Sequence, residues 1–494
     1  MSCRGDFTWY PSRLLDVLGS ESETFKIVDG HDIPPGFSYI TLSHRWGAAI
    51  MPRLTVRNMS YYRAGALISG LPRTFQDTIT ITRRLGARYL WIDSLCIIQD
   101  GDDGRDWMQE APQMAHIYSK CLLNISADWG VGEQGLFFDR ELDFSRTFEM
   151  EFCVSPGRQK RGQKRRRRGW VFQERILSPV IIHFGRREVL WECCQKLASE
   201  SLPSGLSNIP HIDMRSLSQS MSLKRLDPSG DPHISDLLSQ AFRSTPLRDS
   251  TIHDTPYLLW WFLIRKYCQC ALTYASDRLV AISGVARCFK SIIKDQHVVG
   301  MWRKYLAIEV GWTMKSTTSG RILQDSRYTR PSFSWTSAEG LIEPGNPVYD
   351  RSISPCVEVE PVEALLPSSE VSTAYRPSPS LVLEDIFGPL TKPCVQIRVK
   401  GNLKSAKLLR SQRKWLVVPM ENGDSDGEEI EKFPGVQAQL DFIPSETDEE
   451  EFQRRQFFYM PWYTYDSSSL TCFMLLDLQR AQTREFCRIG VCRP

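Results

Sequence analysis

No apolar run in this chain of 494 residues approaches the length of a membrane-spanning helix. The most apolar stretch, Tyr257 to Ile264, falls far short of the ~20 residues such a helix requires. The first residues lack the charged-then-apolar order of a secretory leader. The 14 cysteines show no paired metal-binding spacing. Cys193 and Cys194 are adjacent, and Cys268 and Cys270 are too close for a zinc knuckle. Scattered cysteines of this kind suit a reducing compartment. There is no Gly-x-Ser-x-Gly, no phosphate loop, no His-Glu-x-x-His and no Gly-rich dinucleotide fingerprint. The formal net charge is only +3, so the whole molecule is not a polycation. These absences lead to the expectation of a soluble intracellular protein with no membrane partner and no metal site. The length implies about two to four domains.

What is present is organised around Leu71 to Ala127. Pro72 opens a predicted helix on which Phe75, Thr78, Ile79, Thr82 and Leu85 recur at helical spacing. Gly86 is placed to end it in a left-handed cap. Tyr89 to Ile92 is a near-continuous apolar run, the pattern of a strand covered on both faces. Asp93 stands at its carboxyl end, where ligands bind in open α/β sheets; the plainer alternative is a turn cap. In the next helical segment Trp107, Glu110, Met114, Ile117 and Tyr118 share one face. Glu110 is the one ionised group among them, so it pairs with an arginine, lines a cleft, or lies slightly off the assumed register. Pro112 breaks the pattern. Either the helix is capped at Asp106, or it starts near Glu110; both readings put Glu110 near a helix N-terminus.

Tyr39 to Ser43 is β-branched and apolar and reads as a core strand delivering Ser43, His44, Arg45 and Trp46 to its carboxyl end. His44 and Arg45 are candidates for holding an anionic group, with ordinary packing as the alternative for His44 and Trp46. Arg158 to Arg168 is a basic run that repels itself and is read as a solvated loop. Nuclear import and nucleic-acid binding are its two other readings, the second weakened by the lack of interleaved aromatics. Gly169 to Leu177 is predicted as a short helix stopped at Ser178-Pro179, with Trp170 and Glu174 on one face and Arg175 free to pair with a core carboxylate. Val180 to Phe184 and Glu188 to Glu192 follow as a hairpin. Downstream, Trp260, Ile264, Tyr267 and Ala271 mark a helix, Asp277 to Phe289 a second and Trp302 to Thr313 a third. Their aromatic density reads as core. Cys356 to Val362, Leu381 to Leu383, Cys394 to Val399, Trp415 to Met420 and Phe473 to Leu478 are short β-type runs that suggest a sandwich or small barrel.

Four blocks, YITLSHRWG, LPRTFQDTITITRRLGARYLWIDSLCIIQD, DWMQEAPQMAHIYSKCLLNISA and RGWVFQERILSPVIIHFG, together resemble the fungal heterokaryon incompatibility (HET) domain. The resemblance covers roughly residues 37 to 195, and WWFLIRKYCQCALTYASDRLVAISGVARCF and PSFSWTSAEG look like segments that commonly follow that domain. It implies a role in self/non-self recognition and programmed cell death. HET domains are also thought to resemble Toll/interleukin-receptor (TIR) domains, some of which hydrolyse NAD with a helix-borne Glu. The fold expected on this basis is an α/β HET domain, with a TIR-like parallel sheet flanked by helices, then a helical middle and a β-rich C-terminal domain. The expected boundaries are an extension over 1–36, the HET domain over 37–196, a linker over 197–250, the helical region over 251–345 and the β-rich domain over 346–494. Cleaving the nicotinamide–ribose bond passes through an oxocarbenium-like state that one carboxylate can stabilise. On the TIR analogy Glu110 and Asp93 are the catalytic candidates, and Ser43, His44, Arg45 and Trp46 the NAD-facing ones. Ser43, His44, Asp93 and Glu110 are expected to converge on one cleft, with Arg45 or Arg175 neutralising a carboxylate. The alternative is a non-enzymatic module that binds a protein partner or a second copy of itself. A nuclear nucleic-acid-binding regulator is a weaker third reading. The expected location is cytoplasmic, or nuclear through Lys164 to Arg168.

Overall fold

The computed structural model describes residues 7–17, 22–44, 51–129, 135–137, 169–186, 188–193, 196–205, 255–270, 272, 274–314, 331–338, 340, 342–343, 353–363, 395–411, 414–419, 436–440, 456–465, 470–480 and 485–492. The chain divides into two compact units, Met1–Pro246 with Val280–Cys288, and Leu247–Leu279 with Phe289–Pro494.

The first unit is built on a nine-stranded sheet. Its strands are β1 (Arg13–Asp16), β2 (Thr24–Asp29), β3 (Tyr39–Ser43), β5 (Ala66–Leu67), β6 (Tyr89–Ile92), β8 (Leu123–Ser126), β9 (Val180–Phe184), β10 (Val189–Cys193) and β11 (Leu197–Ser199). The short β4 (Leu54–Thr55) and β7 (Ile98–Asp100) pair with each other. The sheet order is β11-β10-β9-β8-β3-β6-β1-β2-β5. The expected neighbourhood of Tyr39–Ser43 and Tyr89–Ile92 is present: they are adjacent and parallel, with Thr41 opposite Trp91. β8 joins β3 in parallel on the other side, and β9 joins β8 in parallel.

The sheet as a whole is mixed, not parallel. β1 and β2 form an antiparallel pair attached to β6, and β9, β10 and β11 run as an antiparallel meander. The physical reason is connection length: tight turns allow only antiparallel return, and parallel neighbours need a crossover. Residues ahead of position 37 thus supply two strands to this sheet.

Three crossovers set the layers. Between β3 and β6 runs α2 (Arg73–Arg84), which buries Phe75, Ile79 and Thr82 and is followed by Gly86 at φ +74°. Between β6 and β8 run α4 (Arg105–Glu110), a 3-10 turn (Ala111–Gln113) and α5 (Met114–Ser119). Into β9 leads α6 (Gly169–Leu177). The first crossover moves across the sheet in one direction and the other two in the opposite one. Right-handed connection therefore puts α2 on one face and α5 and α6 on the other. The Tyr39 hydroxyl confirms the second placement by donating to the Ile117 carbonyl of α5 at 2.7 Å. α1 (Met59–Ala64) and the single turn α3 (Asp93–Cys96) complete the unit's helices among the described residues that precede position 246.

Glu110 closes α4 and does not open a helix, which corrects the expectation that the dipole of a helix N-terminus acts on it. Pro112 explains the break: it has no N–H for a helix bond, and a 3-10 turn carries the chain across it.

α8 (Val280–Ile293) follows α7 (Thr255–Tyr267) in the chain. Its Val280–Cys288 portion belongs to the first unit. The Gly284 N–H donates to the Gln173 side chain of α6 at 2.8 Å, and Arg287 Nη1 donates to the Pro112 carbonyl at 2.7 Å. A Cβ on Gly284 would stand 2.5 Å from Ala115 Cβ and 2.7 Å from Gln173 Oε1.

In the second unit Trp260, Ile264 and Tyr267 are buried on one face of α7, as their spacing predicts. The predicted third helix is mostly absent. Trp302 lies in a strand, Arg303–Tyr305 form a 3-10 turn and Leu306–Glu309 a single helical turn. Glu309 folds back, accepting from the Trp302 N–H at 2.7 Å and the Trp261 indole at 3.1 Å. Burial pushes its carboxyl up to about 8. Further on, strands Phe457–Tyr465, Lys404–Ser411, Lys414–Pro419, Val436–Leu440, Glu485–Cys492 and Leu470–Arg480 pair in that order, and the last pairs back to the first. The ring is a small closed antiparallel barrel, packed with Ala406, Leu408, Val417, Leu440, Phe457 and Leu475. The β-type run Leu381 to Leu383 and the basic run lie outside the described residues. Among the described residues, no helix is long and apolar enough to cross a membrane.

Gly284→Val should overpack the α5–α6 contact and destabilise the first unit by about 1–3 kcal/mol. Urea unfolding followed by native-state hydrogen exchange in α6 would read this, and unchanged exchange in α6 would contradict it.

Candidate functional site

Alternation along the strands sends Thr41 and Ser43 of β3, Trp91 of β6, and Asn124 and Ser126 of β8 to the face covered by α5 and α6. His183 of β9, opposite Ser126, and Glu192 of β10, opposite Ile181, continue the row. Central strands seldom carry so many polar groups under cover. Each must find a partner, because an unmade hydrogen bond in the interior costs about 1–3 kcal/mol.

The partners come from the strands themselves and from the covering helices. Thr41 Oγ1 donates to Asn124 Oδ1 at 3.0 Å, and Asn124 Nδ2 donates to Ser43 Oγ at 2.9 Å. The Ser43 hydroxyl donates to Glu174 Oε2 on α6. Tyr118 of α5 hydrogen-bonds Ser43 as well. Burial, and then the Glu174 and Asp93 carboxylates, push its phenol well above the ordinary range. Ser43, Asn124, Tyr118 and Glu174 are all buried.

Beside this group lies a chain of alternating charge. His183 Nδ1 is 2.8 Å from Asp128 Oδ2, and its Nε2 is 3.0 Å from Glu192 Oε2. Arg175 Nε donates to the same Glu192 oxygen at 2.9 Å. Ser126 Oγ donates to Asp128 Oδ1 at 2.7 Å. An imidazole with a carboxylate on each ring nitrogen has to donate from both, so its favoured form is the imidazolium. Burial alone would lower the His183 pKa, but Asp128 and the two hydrogen bonds outweigh it and raise the value. Desolvation by its surroundings would raise the half-exposed Asp128, yet the imidazolium and the Ser126 hydroxyl hold it below the usual carboxylate range. Arg175 does pair with a core carboxylate, as its position suggested, and that carboxylate is Glu192.

His44, just past β3, is buried with its ring edge-on to Phe75 of α2, centroids 4.9 Å apart. Its Nδ1 is 3.8 Å from Asp93 Oδ1. Asp93 also accepts from the adjacent Ser94 N–H at 2.7 Å. Ser43, His44 and Asp93 thus lie at the carboxyl ends of the adjacent parallel strands β3 and β6, and the charges of Glu174 and Asp93 both reach Tyr118.

Glu110 lines a cleft whose walls do not include Ser43, His44 or Asp93. Its carboxyl hydrogen-bonds Ser12 and lies near the charges of Arg13 and Asp106. Burial raises its pKa, with Ser12 and Arg13 opposing the shift. The cation whose charge bears on it is Arg13, while Arg175 pairs with Glu192. Arg13 itself pairs with Asp106 and donates to the Cys96 carbonyl at 2.7 Å. The displacement follows from the local chain: as the last residue of α4, Glu110 faces the start of β1. Arg45 and Trp46 lie outside the described residues. Glu174, Tyr118, Asn124 and His183 were not nominated from sequence. The available signal was a polar residue inside an otherwise apolar strand, Asn124 in LLNIS and His183 in VIIHF.

A mixed α/β sheet with a parallel centre, whose carboxyl edge carries a buried polar row under two helices, defines the class of this unit. The model of one family, heterokaryon incompatibility protein (HET), matches residues 39–174, and the chain carries a HET domain. That match opens on β3 and closes on Glu174, the two ends of the Ser43–Glu174 bond. No curated protein and no solved structure matches the chain.

His183→Gln is expected to destabilise the first unit by about 1–3 kcal/mol at pH 6. A raised histidine pKa stabilises fully below the unfolded value and is lost as pH rises through the folded one. The lowered Asp128 pKa stabilises above its unfolded value and is lost on acidification. The gap between wild type and variant should thus be widest between about pH 4 and 6.5 and shrink in alkali. Urea midpoints across that range would show it; a gap that grows above pH 8 would contradict it.

Proposed function

We propose that this chain acts in heterokaryon incompatibility, the self/non-self recognition of fungi, and that its HET domain passes recognition on to programmed cell death by binding. The partner is a protein or a second copy of the chain. The observation that carries this reading is the internal pairing within the matched domain. Ser43, Asn124, Glu174 and Tyr118 satisfy one another, and Arg175, Glu192, His183 and Asp128 form an alternating ion chain. Groups engaged in this way make a rigid scaffold for presenting a surface. A cytoplasmic location, with Lys164 to Arg168 as the alternative import segment, belongs to the same reading.

A second reading is NAD hydrolysis of the TIR-like kind. One observation favours it: Glu110 is a buried acid with a raised pKa on the wall of a cleft, a pattern associated with functional sites. Its place in a cleft that Ser43, His44 and Asp93 do not line weighs against it, and binding is the stronger reading.

The two are separated by purified, concentrated protein incubated with NAD and followed by nicotinamide release, together with cell death in a fungal host. The binding reading expects Glu110→Gln to keep its fold and to trigger death as the wild type does. Nicotinamide release by the wild type that Glu110→Gln abolishes, with death lost in parallel, would overturn it.

A further inference from the structure

Between the start of β1, the turn after β2 and the end of α4 lies a cleft of ≈ 720 Å³, within the size range of small-molecule sites. Its walls include Trp9, Tyr10, Arg13, Asp29, Glu110 and Gln113. We propose that this cleft binds a small planar organic cation, such as an amidinium or aryl ammonium group, held by the Glu110 and Asp29 carboxylates against the Trp9 and Tyr10 rings.

The charge class follows from what the walls can still offer. Arg13 is the wall's permanent cation; its guanidinium donates to Asp106 and to the Cys96 carbonyl, and its charge also bears on Glu110. The Tyr10 hydroxyl is taken by the Phe7 and Pro34 carbonyls at 3.0 and 2.9 Å, and it accepts from the Phe37 N–H at 3.1 Å. Asp29 accepts from Arg63 on α1 at 2.7 Å and keeps acceptor capacity. Glu110 is buried with one hydroxyl donor, Ser12. The wall thus holds two carboxylates with acceptor capacity. An anion would meet two carboxylates, and an apolar guest would deepen the burial of Glu110 with nothing in return. A cation with N–H donors satisfies the carboxyls and gains from the π faces of the aromatic wall.

The shape class follows from the same residues. Trp9 and Tyr10 are consecutive, and Trp9 meets His116 edge-on with centroids 5.6 Å apart. Flat rings on the wall favour a flat guest. The inference rests on the cleft alone and is independent of whether the chain turns over NAD.

The test uses the full chain and a matched pair of probes, benzamidinium and its neutral isostere benzamide, by isothermal titration calorimetry at pH 7.5. Benzamidinium should bind at least ten-fold more tightly than benzamide, and Glu110→Gln should erase that preference. Equal binding of the two probes, or a ten-fold preference retained in Glu110→Gln, would overturn the proposal. A second measurement needs no variant. The groups that titrate around the cleft are Glu110, Asp29, His31 and Asp106. Protonating Glu110 as the pH falls should weaken benzamidinium binding by ten-fold or more and leave benzamide unchanged. Benzamidinium affinity independent of pH between 4 and 7.5 would also overturn it.

Discussion

The first unit depends on one hydrogen bond, from the Ser43 hydroxyl at the end of a central strand to the Glu174 carboxylate of α6. Removing a carboxylate from water is costly unless donors replace the solvent. Ser43 and the nearby Tyr118 supply that replacement, and Asn124 fixes Ser43 in turn. Because Glu174 and Arg175 are consecutive, the helix that brings one carboxylate to Ser43 also brings a guanidinium to Glu192. The position of α6 therefore settles two polar groups at once.

Both groups need every member. Along Arg175, Glu192, His183 and Asp128 the charges alternate, so the buried His183 and Glu192 each have an opposite neighbour, and the chain ends on the half-exposed Asp128. Such a network is stable when complete and costly when cut. α8 adds a mechanical condition. Gly284 lets its backbone reach Gln173, the residue just before Glu174, and Arg287 holds the carbonyl of Pro112, where α4 and α5 are joined by the 3-10 turn. A segment more than a hundred residues downstream in the chain thereby fixes both helices that cover the polar row, outside the stretch that the family model spans.

Much of this is legible in the sequence. The strands Tyr39–Ser43 and Tyr89–Ile92, the Gly86 cap, the short helix ahead of Ser178-Pro179 and the hairpin after it follow from local periodicity and turn chemistry, which act over a few residues. The failures have longer-range causes. Glu110 ends a helix where the sequence suggests the start of one, because the chain crosses Pro112 through a 3-10 turn, which the apolar pattern does not register. The antiparallel pair β1–β2 beside β6 is not legible because pairing partners are set by tertiary contact. Asn124 and His183 were passed over because a single polar residue in an apolar strand gains meaning only from what packs over it. Arg175 shows the middle case: its need for a carboxylate was legible, and the identity of that carboxylate was not.

The most direct test of the Ser43–Glu174 bond as the organising contact is a double-mutant cycle on unfolding free energy, with Ser43→Ala, Glu174→Gln and the pair. A charge-assisted buried bond predicts that the double variant loses less than the sum of the single losses, by about 1.5 kcal/mol or more. Losses that add to within about 0.5 kcal/mol would show that the two residues do not act together and that α6 is held by other means.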